Sequence, residues 1–247
     1  MPLKTTFNYS PNFSPTKRTS REIKCVIFHY TGMKSESEAE NRLTDIQSEV
    51  SCHYLIKYNG EIIKVVPDLY IAWHAGQSSW RSFKSLNKNS IGIEITNPGH
   101  EFNYKKFSKK QVSSLLRLSK FLIKKYKINQ KNILGHSDIA PYRKKDPGEK
   151  FPWKYLSKKK IGLWHTLKEK ELIMNREHKT NKKEKEFFLE NLFEIGYKKK
   201  VSKILDKNRY LREVVKTFQR RFRQELVDGK IDQECLLIST NLLKKYN

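Results

Sequence analysis

The stretch Cys25-Val26-Ile27-Phe28-His29-Tyr30-Thr31 decides the architecture. From residue 23 to 31 apolar side chains fill both alternating positions, the pattern of a strand covered on two faces. A second such run covers residues 91–96, and its Ile91-Gly92-Ile93-Glu94-Ile95 holds one carboxylate among apolar neighbours. Alternation puts Glu94 on the face opposite Ile91, Ile93 and Ile95. Gly92 shares that face and is expected to leave room for a ligand. Residues 52–57 and 62–66 flank Tyr58-Asn59-Gly60-Glu61, and Asn-Gly between two apolar runs predicts a hairpin. Residues 35–50 read as a polar helix capped by Ser35 or Ser37. Ser108 opens a long amphipathic helix with Val112, Leu115, Leu116, Leu118, Leu122 and Ile123 at helical spacing. Residues 133–136 form a last short strand. The fold class is α/β, a central mixed sheet covered by helices.

Outside that core, residues 1–21 are polar, carry Pro11 and Pro15, and read as an N-terminal arm. The α/β domain takes residues 22–165. Residues 166–183, rich in Lys, Glu, Asn and Thr, read as a linker. Three stripes follow in residues 184–247: Phe187, Phe188, Leu192 and Ile195; Leu211, Val214, Val215, Phe218 and Phe222; Leu236, Leu237, Leu242 and Leu243. They predict a three-helix module of about 65 residues, near the lower limit for independent stability. The two units are expected to separate. A chain ending near residue 178 would then keep its chemistry.

The 247 residues carry 51 Lys+Arg against 26 Asp+Glu, a net charge of +25. Such a charge attracts polyanions, namely nucleic acid, anionic lipid or an anionic wall polymer. Lys outweighing Arg is equally the mark of a compositional bias. No helix-turn-helix, RRM or zinc-finger pattern accompanies the charge, so a specific nucleic-acid partner is not expected. Cys25, Cys52 and Cys235 form no CxxC pair and argue against a disulfide framework. No transmembrane segment is expected, because no stretch approaches the roughly 20 apolar residues of a span. The first ten residues show no apolar signal-peptide core. The chain reads as unexported, exported by another route, or shown without its leader. Oligomeric state is not legible.

Three residues stand in settings that suit a metal ligand. His29 ends the first strand. His136 opens Gly135-His136-Ser137-Asp138-Ile139-Ala140-Pro141, and Asp146 lies in Arg143-Lys144-Lys145-Asp146-Pro147-Gly148. Singly they are a core histidine, a solvated loop histidine and a turn aspartate. Together, two imidazoles and a carboxylate make a three-ligand Zn²⁺ set with an open fourth position. Cys52-His53 cannot be a catalytic Cys–His pair, since neighbours on a strand point to opposite faces.

Several segments carry a resemblance, in order along residues 23–164: VIFHYT (26–31), SCHYLI (51–56), AWHAG (72–76), NSIGIEI (89–95), GHSDIAPYRKKDPG (135–148) and FPW (151–153). They resemble the zinc-dependent N-acetylmuramoyl-L-alanine amidases of the type 2 amidase family, which also includes the peptidoglycan recognition proteins. Within it the resemblance is to the AmiD and AmpD amidases. The resemblance implies hydrolysis of the amide between N-acetylmuramic acid, or its anhydro form, and L-alanine of the stem peptide. It implies one Zn²⁺ per chain held by His29, His136 and Asp146, with Glu94 as general base and Lys144 as transition-state stabiliser. Trp73 and His74 would contact substrate, and His53 would buttress the site. His100, His165 and His178 receive no role. Non-catalytic recognition proteins on this fold typically lose a ligand, whereas this chain keeps the set. Residues 214–222, followed by Leu226-Val227-Asp228-Gly229, are similar to peptidoglycan-binding three-helix modules, with Asp232 where many have glycine. The implied partners are peptidoglycan and muropeptides. The tail favours the cell envelope, periplasm or exterior over the cytoplasm.

Overall fold

The computed structural model describes residues 4–199 and 206–246. Its centre is a six-stranded mixed sheet. The strands are β1 (Thr6–Phe7), β2 (Cys25–Tyr30), β3 (Tyr54–Ile56), β4 (Ile62–Lys64), β5 (Ser90–Ile95) and β6 (Ile133–Gly135). Their order across the sheet is β1-β4-β3-β5-β2-β6. The Asn-Gly hairpin joins β3 to β4 antiparallel. β2 lies between β5 and β6, parallel to both, and its register sets His29 directly beside Glu94.

Eight helices accompany the sheet among the described residues: α1 (Glu36–Thr44), α2 (Lys109–Tyr126), α3 (His136–Ile139), α4 (Trp153–Lys158), α5 (Glu169–Asn175), α6 (Lys182–Ile195), α7 (Lys207–Phe222) and α8 (Gln233–Tyr246). Ser35 and Ser108 cap α1 and α2, each with a capping box closed by Glu38 or Gln111. α1 is shorter than the predicted 35–50. Asp45 turns extended and spends its carboxylate on the Gln47 amide, a local bond that competes with the helix.

Strand alternation sorts the core into two layers. Val26 and Phe28 of β2 and Ile91, Ile93 and Ile95 of β5 face Leu115, Leu118 and Leu122 of α2. Cys25, Ile27 and Leu134 point the other way. There they join one cluster with Phe188, Leu192 and Ile195 of α6, Val214, Phe218 and Phe222 of α7, and Ile238 and Leu242 of α8. The three-helix module is thus the second cover of the sheet, and its core is continuous with the sheet's. The stripes of α6–α8 bury themselves against strand residues as well as against one another. Residues 166–183 include α5, whose Leu172 is buried in the same cluster. Asp232 caps α8 by accepting the Cys235 amide at 2.9 Å and pairs with Arg223. A carboxylate therefore has work at the position where a glycine was the reference.

The residues read as an arm are also bound into the fold. β1 extends the sheet edge beside β4, and the Asn8 and Ser10 amides continue to the Lys64 and Val65 carbonyls. Arg18 is buried and donates to the Asp68, Asn87 and Lys88 carbonyls. Edge pairing works through backbone groups, which leave no apolar signature in a sequence.

Candidate active site

The site forms at the C-terminal ends of β2, β5 and β6, on the α6–α8 side of the sheet. His29 is the last inward residue of β2. β6 ends at Gly135 and feeds His136 into α3. The loop after α3 then returns, tied by the Ser137 amide to the Asp146 carbonyl at 2.8 Å, so that Asp146 faces both imidazoles. Gly135 permits this return: a side-chain carbon there would stand 2.6 Å from Pro147 Cδ.

The three predicted ligands converge. His29 Nδ1 lies 2.9 Å from His136 Nδ1, and each lies 3.1 Å from Asp146 Oδ2. Ligand atoms around a tetrahedral ion with bonds of about 2.05 Å stand roughly 3.3 Å apart, so this triangle fits a single small cation. All three residues are buried. Burial, reinforced by His136, drops the His29 imidazole to about 4, which keeps it neutral as a ligand must be. Despite its burial, the Asp146 carboxyl is held well below the usual range by the two imidazoles. The donor set, its collapse onto one point and its protonation states fit a divalent metal.

Each imidazole is oriented from behind, as metal-bound histidines are. His29 Nε2 meets His74 Nδ1 at 3.0 Å, and His74 Nε2 meets Ser90 Oγ at 3.2 Å. His136 Nε2 faces the Ala75 carbonyl at 3.3 Å. His74 therefore stands behind His29, its ring packed on the bare backbone of Gly92, and it also lines the floor of the cleft. A side-chain carbon on Gly92 would meet His74 Cγ at 2.4 Å, so the space foreseen there for a ligand is the seat of His74. His53 stands one layer further back. Its Nδ1 accepts the Gly92 amide at 3.0 Å, and burial lowers its pKa to about 3. It is thereby tied to β5, the strand that carries Glu94.

Above the ligands opens a cleft of about 390 Å³, lined among others by Trp73, Glu94, His100, Lys144 and Asp146. Glu94 Oε1 is 3.9 Å from His29 Nδ1, while its Oε2 is buried with no hydrogen-bond partner among the described residues. Burial, then the charge of Asp146, pushes Glu94 up to about 8, with Lys144 pulling the other way. Lys144 is half-buried on the cleft wall. Trp73 shows part of its ring there and donates Nε1–H to Ser14 Oγ at 3.2 Å. His100, left without a role, bridges Tyr30 Oη at 2.9 Å and Glu149 at 3.0 Å along the rim. Nothing in its local sequence marks it, because both partners are distant in the chain.

Residues 19–149 match the N-acetylmuramoyl-L-alanine amidase family, Amidase_2. The chain belongs to this family. It is an amidase, and its reaction is hydrolysis of the bond between N-acetylmuramic acid and L-alanine. The chain is similar to the N-acetylmuramoyl-L-alanine amidase AmiD of Escherichia coli, at 36% identity over 91% of this chain and 83% of AmiD. The structure of AmiD in complex with anhydro-N-acetylmuramic acid-L-Ala-D-gamma-Glu-L-Lys superposes with a TM-score of 0.78, covering 91% of this chain and 90% of AmiD. AmpDh3 from Pseudomonas aeruginosa superposes with a TM-score of 0.77 at 30% identity, covering 94% of each chain. The 1,6-anhydro-N-acetylmuramyl-L-alanine amidase AmpD of Haemophilus influenzae is 33% identical over 60% of this chain and 88% of its own length. No helix among the described residues of the amidase is long and apolar enough to cross a membrane.

Proposed function

We propose that the amidase is a zinc enzyme, with His29, His136 and Asp146 as protein ligands, Glu94 moving the proton and Lys144 meeting the developing charge. The observation that carries this reading is the convergence of three donor atoms, no more than 3.1 Å apart, under a cleft walled by Glu94 and Lys144. Zinc, when bound, supplies a Lewis acid that lowers the pKa of water towards 7 and polarises a carbonyl. Glu94 takes the proton of the attacking water and delivers it to the departing amine of L-alanine. A carboxyl raised by burial accepts a proton readily, and a neighbouring cation keeps it ionised at the start of the cycle. The Lys144 ammonium stabilises the oxyanion as water adds to the amide carbon. The exposed part of Trp73 offers a flat apolar surface to the sugar or the stem peptide.

AmiD and AmpDh3 have been seen with anhydromuramic peptides. On that ground soluble muropeptides, anhydro or ordinary, are the proposed substrates. Retention on the cell wall, and with it an envelope location, is the finer part of the proposal. It is supported by the similarity of the α7–α8 region to wall-binding modules and by a second cleft of about 550 Å³ between residues 177–185 and 228–232. The test of the whole reading is metal removal. Elemental analysis should find one zinc per chain. Chelation should stop release of stem peptide from an anhydro-muropeptide, followed by mass spectrometry, until Zn²⁺ is returned. Full turnover by metal-free protein would defeat it.

A further inference from the structure

Asp138 lies two residues beyond His136, in the turn that carries that ligand, and is 1% exposed. Its carboxylate is engaged from three directions. Oδ2 accepts the Gly135 amide at 2.8 Å and a hydrogen bond from Arg221 Nη1, and Oδ1 accepts the Tyr197 hydroxyl at 2.9 Å. Arg221, from the last turn of α7, is 2% exposed. Its Nη2 donates to the Ile133 carbonyl at 3.0 Å, and its guanidinium lies 4.2 Å over the Trp153 ring. That ring would in turn touch a side-chain carbon placed on Gly135, at 3.4 Å. One side chain from the C-terminal helices thus grips both ends of the short segment that presents His136: strand β6 before it and the α3 turn after it.

Burying a guanidinium and a carboxylate costs desolvation that an apolar pair would avoid. The surrounding Phe222, Val214 and Leu134 already hold the helices to the sheet. What the ion pair adds is direction, since a planar donor fork fixes the angle of the groups it binds. A metal site tolerates displacements of only about 0.5 Å in its ligands. Asp146 depends on the same turn, because its carbonyl accepts the Ser137 amide. Two of the three ligands therefore inherit their placement from this contact.

We propose that Arg221, assisted by Tyr197, is a positioning residue for the metal-binding turn, so that the C-terminal helices are part of the catalytic apparatus. The inference rests on the metal reading above. Its test uses the full chain and follows metal rather than turnover alone. Zinc affinity is measured by competition with a chromophoric chelator, and ligand geometry by the visible spectrum of the Co²⁺ form. Arg221→Met combined with Asp138→Asn removes both buried charges, while the amide oxygen still accepts from Gly135. It should weaken zinc binding by about 10–100-fold, the range for lost outer-shell partners, and alter the Co²⁺ bands. It should lower kcat with little change in KM. Arg221→Lys, keeping the charge but not the fork, should recover part of the affinity. Tyr197→Phe keeps the packing and should give a smaller loss in the same direction; it decides the matter if the double variant does not fold. Wild-type affinity and Co²⁺ spectra in the folded variants, with only the melting temperature lowered, would overturn the proposal. Wild-type protein that takes up no zinc would sink the metal reading first and this inference with it.

Discussion

On one face of the sheet, α2 lays Leu115, Leu118 and Leu122 against Val26, Phe28, Ile91 and Ile93, and the buried Asp68 carboxylate beside that layer is held by Tyr54, Tyr126 and Lys125, away from the cleft residues. On the other face, α6–α8 lay a comparable apolar layer against Cys25, Ile27 and Leu134, but also bury Arg221 against Asp138. The ligands and Glu94 all project to this second side. The contrast separates two tasks. Apolar contacts hold layers together without dictating angles, whereas hydrogen-bonded charges dictate angles at a cost in desolvation. On the second face such a pair sits in the turn that carries His136.

The largest effect should come from removing the second cover. A chain ending near residue 178 would bare Cys25, Ile27, Trp80, Leu134 and Ile139, now all buried in one cluster. Such a patch promotes aggregation. Sedimentation and thermal scans should find an aggregated or non-cooperative product without activity. A monomeric fragment that melts cooperatively and cleaves muropeptides would show that the second face is not part of the core.

Within the second face, chemistry and metal binding should come apart. Glu94→Ala should retain zinc yet lose roughly 10²–10⁴-fold in kcat, the usual size of a general-base contribution. Lys144→Ala should lose about 10²–10³-fold, as for an oxyanion donor. Near-wild-type turnover by either variant removes that residue from the mechanism. On the first face the pattern should invert. Leu118→Ala, at a fully buried position, should cost about 2–5 kcal/mol of stability and leave kcat near that of the wild type at temperatures where the protein stays folded. A variant with intact stability and impaired turnover would mean that α2 is not a passive cover.

The smallest effect concerns acid. Burial lowers His29 to about 4, His53 to about 3 and His165 to about 4, all below the ordinary histidine value near 6.5. As pH falls from about 6.5 towards 4, the unfolded chain takes up protons at these rings that the folded chain refuses. Stability is therefore complete above pH 6.5 and declines through that window. The metal-free protein should melt at a lower temperature at pH 5 than at pH 7. His165→Phe should flatten part of that slope, since neither ring nitrogen has a hydrogen-bond partner among the described residues. Equal melting temperatures at the two pH values would contradict the assignment.

Much of this molecule is written in patterns between near neighbours. Alternation marked β2 and β5, Asn59-Gly60 marked the hairpin, and Ser108 with Gln111 marked the start of α2. These signals act over a few residues and survive in the chain as text. The trio His29, His136 and Asp146, which the structure brings together, was legible as candidates because each member sits in a local context of its own and the segments resemble a family. The packing of His74 was not legible, because Trp73-His74 reads as a turn and only the tertiary structure shows the ring lodged against Gly92 behind His29. The contacts of the N-terminal residues were hidden for a similar reason: Arg18 is an unremarkable cation until the carbonyls of Asp68, Asn87 and Lys88 surround it.

By itself the sequence determined which segments become strands and helices and which side chains share a face, since these follow from spacing along the chain. Tertiary structure alone decided what covers the second face, because partners 83 residues apart, such as Asp138 and Arg221, are joined by complementary charge and burial rather than by any local period. The same holds for His29 and Glu94: each strand is legible alone, but the parallel register that sets them side by side exists only once the sheet has formed.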